Sequence, residues 1–156
     1  MTLNIGWIGC GRHATHMLMP QLGRNDMRIA AVCDLNRDAA ASAAWQYGAE
    51  AVYGDYAELI AHKGLDAVCM AVGPDLHRVA SIAALERGLP VFLEKPPARD
   101  AAGAREIAAA AGKAGKPVIV GFMKRYSTGN RIAGNILRGE SFGKVLGVTG
   151  SYMSGP

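Results

Sequence analysis

The turn Gly9-Cys10-Gly11-Arg12-His13-Ala14 is the richest source of chemistry in this sequence. In the spacing Gly-x-Gly-x-x-Ala the first glycine permits a tight turn and the second lets backbone approach a pyrophosphate. The small third residue allows a helix to pack closely on a strand. A helix opening there offers unpaired N–H groups and the positive end of its dipole to phosphate oxygens. Such a turn means little alone, but here an apolar run, Leu3 to Ile8, precedes it and a helical pattern to about Leu22 follows it. Roughly twenty residues further on, a second apolar run from Arg28 to Cys33 ends at Asp34, whose carboxylate can accept hydrogen bonds from ribose hydroxyls. A carboxylate there repels a 2′-phosphate, which favours NAD over NADP. Arg37 could reverse that preference by pairing with the phosphate, or could simply face solvent.

Two further constellations fall at strand ends. Glu94-Lys95-Pro96-Pro97 closes the run Leu89 to Leu93, and in an open parallel sheet ligands bind outside the carboxyl ends of the strands. An ammonium at Lys95 could polarise a substrate hydroxyl or carbonyl beside a nicotinamide ring; the alternative is a surface lysine in a turn. Val72-Gly73-Pro74-Asp75-Leu76-His77 ends the preceding run and starts a helix bordering the same crevice. His77 could face cofactor or substrate there, or could be a capping or packing residue. His13, His16 and His62 lack metal-ligand spacing, so no metal site is expected.

These residues need a scaffold that delivers strand ends to one edge, and the rest of the pattern supplies it. Asn36 or Asp38 can cap an alanine-rich helix ending at Gly48, and a short strand near Ala51 to Tyr53 precedes a helix capped by Asp55. Asp66 to Val72 reads as a central strand. Asp75 is expected to cap a helix over Leu76 to Arg87, with Val79, Ile82, Ala83 and Leu85 on or near its apolar face. Asp100 begins another helix ending near Gly115, and Pro117 to Phe122 reads as a strand. Strand and helix alternate with short connections, which predicts an α/β fold, a doubly wound parallel sheet covered on both faces. After Gly121 the texture changes. A helix over Ile132 to Leu137 and an alternating strand over Lys144 to Met153 are expected to open a second, α+β domain that breaks off early. The expected division is 1–122 and 123–156.

Composition narrows the classes. Half of the 156 residues are hydrophobic, aromatics are few, and the net charge of +4 is not gathered into a dense basic run, so nucleic-acid binding is not expected. Cys10, Cys33 and Cys69 lie far apart without paired spacing and suit buried thiols in a reducing compartment. No apolar stretch approaches the roughly 20 residues that span a bilayer, and no signal peptide is visible, so a cytoplasmic setting without membrane partners is expected. No Gly-x-Ser-x-Gly elbow suggests a hydrolase.

Together these residues resemble the Gfo/Idh/MocA family (glucose–fructose oxidoreductase, inositol dehydrogenase and relatives). The resemblance runs over essentially the whole chain. It rests on the glycine turn, Asp34, Pro74-x-x-His77, Glu94-Lys95-Pro96, and Val120-Gly121-Phe122-Met123-x-Arg125-Tyr126, with Phe142-Gly143-Lys144-Val145 resembling the start of the family's second domain. It implies hydride transfer between NAD or NADP and a sugar, cyclitol or related carbinol. By the same resemblance Lys95 is the catalytic lysine, Glu94 and Pro96 fix its geometry through a cis bond, and Arg125 lies near cofactor and substrate cleft. Val72, Pro74 and His77 border the cofactor. Relatives are longer and commonly associate through the sheet of their second domain, which implies a homo-oligomer for the full-length protein. This chain alone is then the cofactor-binding portion, inactive by itself; the competing expectation is a non-catalytic dinucleotide-sensing module.

Overall fold

The computed structural model describes residues 2–151 and 153, and in it the apolar runs pair as parallel strands. These are β1 (Leu3–Ile8), β2 (Met27–Cys33), β3 (Ala51–Tyr53), β4 (Ala67–Met70), β5 (Val91–Leu93) and β6 (Val118–Val120). They form a six-stranded sheet in the order β3-β2-β1-β4-β5-β6, every pair parallel. This is the doubly wound order of the Rossmann fold, as expected. Parallel neighbours cannot be joined by a hairpin, so helices carry the crossovers: α2 (Arg37–Tyr47), α3 (Tyr56–Ile60), α4 (Pro74–Glu86) and α5 (Ala101–Ala114). Because β1 lies between β2 and β4, the winding reverses there and a crevice opens at the carboxyl ends of β1 and β4.

The sheet alternation builds two cores. Ile8, Ala31, Cys33, Val68 and Met70 pack with Leu59, Ala84, Leu85 and Ile107 from α3, α4 and α5. Ile5, Trp7, Val32 and Cys69 pack with Ala14, Met19 and Leu22 of the first crossover and Ala40, Ala43 and Ala44 of α2. Successive residues of one strand thus serve opposite layers. The helices start where short polar side chains satisfy free N–H groups. Asn36 accepts from Asp38 N and Ala39 N at 3.1 Å, Asp55 from Ala57 N at 2.6 Å, and Asp100 from Gly103 N at 2.8 Å.

Three local expectations fail. The first crossover is a π-helical turn (Ala14–Leu18), α1 (Met19–Leu22) and a 3-10 turn (Gly23–Asn25) rather than one helix. Pro20 has no N–H for the carbonyl four residues back, and the ladder changes register around it. Asp75 does not cap α4; Gly73 is the cap, and the Asp75 carboxylate instead pairs with Arg99 at 2.5 Å. The buried face of α4 carries His77, Ala80, Ser81, Ala84 and Leu85, while Val79 is exposed.

Residues 122–156 form a separate compact unit. It holds a 3-10 turn (Met123–Tyr126) and α6 (Thr128–Arg138), which Ser127 caps through Asn130 N. The strand expected over Lys144 to Met153 is absent from its described residues, Tyr152 lying outside them. No partner strand is described for it, and a lone strand cannot satisfy its own backbone groups.

Candidate dinucleotide site

The glycine turn is held from three sides. Trp7, buried in the second core, donates its indole N–H to the Gly9 carbonyl at 2.8 Å. Gly9 N–H donates to the Cys33 carbonyl at 2.8 Å. Cys10 N–H donates to the Asp34 carboxylate at 2.7 Å. Gly9 has a φ of 94°, and a Cβ on it would lie 2.4 Å from the Ala71 carbonyl oxygen. Glycine is therefore required by the chain itself. At Gly11 a Cβ would meet nothing within 4 Å. No packing reason exists for glycine there; the open space above it is the cradle a pyrophosphate would fill. The residues present fit a dinucleotide.

Asp34 is engaged twice, since its other oxygen accepts from Asn36 N–H at 2.8 Å. A carboxylate has about four acceptor positions, so ribose hydroxyls can still be received. The cavity beside it measures about 510 Å³ and is lined by Gly9, Gly11, Asp34, Leu35, Gly54, Asp55, Tyr56, Val72 and Leu76 among others. Leu35 and Tyr56 were not foreseen; the Gly54-Asp55 turn at the end of the third strand run was the available signal. The Arg37 guanidinium stands beside Gly54, where a Cβ would lie 3.4 Å from it; Gly54 lines this cavity and Arg37 does not.

A second cavity of about 210 Å³ lies along the same loop, lined by Gly11, His13, Ala14, Ala71, Val72, Glu94 and Lys95. The two share Gly11, Ala71 and Val72, so they meet at the glycine turn. Lys95 is exposed, and its N–H donates to the Glu94 carboxylate at 3.2 Å. The Lys95–Pro96 peptide bond is cis. Glu94 is mostly buried and faces the His13 ring, Nε2 to Oε1 3.8 Å. A Cβ on Gly121 would fall 2.8 Å from that same Glu94 oxygen, so the glycine ending β6 makes room for the carboxylate. Arg12 is exposed at the start of the crossover, and Pro74 opens α4. Arg125 belongs to the unit formed by 122–156, and its structure there is an exposed 3-10 turn.

His77 does not line the groove. It is fully buried, with Val72 N–H donating to Nε2 at 3.2 Å and Nδ1 lying 2.9 Å from the Pro96 carbonyl. Burial holds its pKa below the usual histidine range, opposed by nearby carbonyls of Pro96 and Met70 and by the Glu94 charge. Its site is behind the crevice because α4 turns this residue toward the sheet. Burial likewise pushes the Cys10 thiol up to about 12, with the Asp34 charge adding to it. Among the described residues no three His, Cys, Asp or Glu side chains gather to hold a metal ion, and no helix is long and apolar enough to cross a membrane.

A parallel sheet of this order, with a glycine turn at its switch point and an acid closing the neighbouring strand, defines a dinucleotide-binding Rossmann domain. The family model described as an oxidoreductase family with an NAD-binding Rossmann fold matches residues 3–122. The chain belongs to this Gfo/Idh/MocA family. It is 36% identical over 149 residues to the inositol 2-dehydrogenase/D-chiro-inositol 3-dehydrogenase of Shouchella clausii, covering 94% of this chain and 43% of that protein. A dehydrogenase structure from Chromobacterium violaceum superposes with a TM-score of 0.84 at 26% identity, covering 92% of this chain and 42% of that one. An Agrobacterium radiobacter oxidoreductase, in complex with NAD+, L-tartaric acid and magnesium, gives 0.81 at 28% identity, covering 88% and 40%. The chain thus spans less than half the length of these relatives.

Proposed function

We propose that this chain supplies the cofactor-binding part of an NAD-dependent dehydrogenase acting on a cyclitol, sugar or related carbinol. The observation that carries the reading is one groove that runs from Asp34, across the open face of Gly11, to Lys95. The name of the Shouchella relative supports an inositol-like substrate. When bound, the dinucleotide supplies the ring that accepts or returns a hydride. The chain's own work is to hold it and to manage a proton. Asp34 takes the ribose hydroxyls, and the backbone at Gly9, Cys10 and Gly11 takes the phosphates. The Lys95 side chain holds the reacting oxygen; as the neutral amine it takes the hydroxyl proton, and as the ammonium it returns one to the carbonyl in the reverse direction. The Glu94 carboxylate anchors the Lys95 backbone N–H.

Asp34 supports NAD as the preferred cofactor, with the Arg37 guanidinium beside Gly54 able to admit a 2′-phosphate. Residues 123–156 are then the start of a substrate and oligomerisation domain. The full-length protein is a homo-oligomer. The three buried free thiols support a cytoplasmic setting. The test titrates the chain with NADH and NADPH, then assays the full-length protein on inositols. NADH should bind more tightly, and Lys95→Ala should cut turnover by about 10²–10⁴-fold. No affinity for either dinucleotide, or full turnover without Lys95, refutes the reading.

A further inference from the structure

We propose that His77 is a positioning residue: its imidazole clamps the end of β4 to the turn after β5 and so fixes where Lys95 stands in the groove. The proposal rests on the dinucleotide reading above. His77 and Ser81 are the buried polar side chains among the described residues. A buried imidazole on a helix face shared with Ala80, Ser81, Ala84 and Leu85 is costly unless its nitrogens are satisfied. Here both are, and both partners are backbone groups of the site itself. Val72 lines both cavities, and Pro96 directly follows Lys95.

The partners define the ring's state. A backbone N–H at Nε2 requires that nitrogen to accept, so the single proton sits on Nδ1 and is donated to the Pro96 carbonyl. The Met70 carbonyl is already taken by Glu94 N–H at 3.0 Å. That same bond is the last rung between β4 and the chain leaving β5. Beyond it Lys95 has no ladder partner, and Pro96 has no N–H to offer. The next anchor is the Pro96 carbonyl on His77. Lys95 is bracketed between the two, held on one side by the sheet and on the other by an imidazole from α4. A leucine would fill the same space but leave Val72 N–H and the Pro96 carbonyl without their partner.

The test uses the intact chain. Imidazole nitrogen NMR of the native protein should show a neutral ring protonated at Nδ1; an Nε2-protonated or charged ring at neutral pH overturns the clamp. Calorimetry with NADH and with ADP-ribose, which lacks the nicotinamide, separates the two ends of the groove. In His77→Leu, ADP-ribose affinity should stay within about twofold of native while NADH affinity falls about tenfold. His77→Asn, whose amide N–H can still reach the Pro96 carbonyl, should recover part of that loss. Equal losses for both ligands, or unchanged NADH affinity, overturn the proposal. If the leucine variant does not fold, the asparagine variant decides: its NADH loss must again exceed its ADP-ribose loss. Failure of the native chain to bind ADP-ribose would instead remove the dinucleotide reading, and the NMR result would still judge the clamp.

Discussion

The two halves of the groove are built by opposite means. The half over β1, β2 and β3 is shaped by what is missing: Gly9 makes room for the Ala71 carbonyl, and Gly11 leaves its surface open. Asp34 binds the turn with charge-assisted bonds to backbone N–H groups. The half over β4, β5 and β6 is shaped by side chains that are present. Glu94 reaches into space left by Gly121, and His77 ties two strand ends together. Backbone shaping suits a ligand part shared by many enzymes, the phosphates and ribose. Side-chain placement suits the end where a proton must move, because an amine's position there decides chemistry rather than affinity alone.

If that contrast holds, substitutions in the two halves should break different properties. The largest effect is expected from Gly9→Ala. Its φ of 94° and its approach to the Ala71 carbonyl both oppose a side chain, so unfolding by urea should show a loss of about 3 kcal/mol. A native-like denaturation midpoint would break the claim that the chain demands glycine there. Next is Asp34→Ala, which removes an ionised acceptor from Cys10 N–H and from the ribose. NADH affinity should fall by about 1.5–3 kcal/mol, roughly tenfold to more than a hundredfold. Unchanged calorimetry would leave Asp34 a purely structural brace. Gly11→Ala sharpens the comparison most. Stability should move by less than about 0.5 kcal/mol, while NADH affinity falls about tenfold. Two glycines two residues apart would then serve the chain and the ligand separately.

Much of this was legible because it depends on local pattern. The strands, the Asn36, Asp55 and Asp100 caps and the stops at Gly48 and Gly115 follow from short-range hydrogen bonding and positive φ. What the sequence hid depends on which way a helix rolls. Reading α4 for apolar residues selected Val79, yet the buried stripe holds His77 and Ser81. The polar residue that ties the site together therefore reads in the sequence either as a ligand contact or as a capping or packing residue, with nothing to show which backbone groups it would hold. Trp7 was equally hidden: it reads as one more strand hydrophobe, and only its indole bond to Gly9 reveals its service to the turn. The strand expected over Lys144 to Met153 shows the converse. Alternation along one segment states a preference, and no hydrogen-bond partner that would realise it is described among these residues.

The smallest expected effect probes the side-chain half with protons. In the unfolded chain His77 should titrate near its ordinary value of 6.5, whereas burial depresses it in the folded state. Above that value the ring is neutral in both states and the clamp contributes fully. As pH falls below it, the unfolded chain takes up a proton that the folded ring refuses, so stability declines until the depressed folded value is reached. The decline cannot exceed one proton, about 1.4 kcal/mol per pH unit. His13, His16 and His62 are common to native protein and His77→Leu, so the difference between the two pH profiles isolates the clamp. The native profile should fall more steeply below pH 6.5 than that of the leucine variant. Parallel profiles would mean that His77 meets acid as readily folded as unfolded, and a ring that accessible could not hold β4 and β5 together.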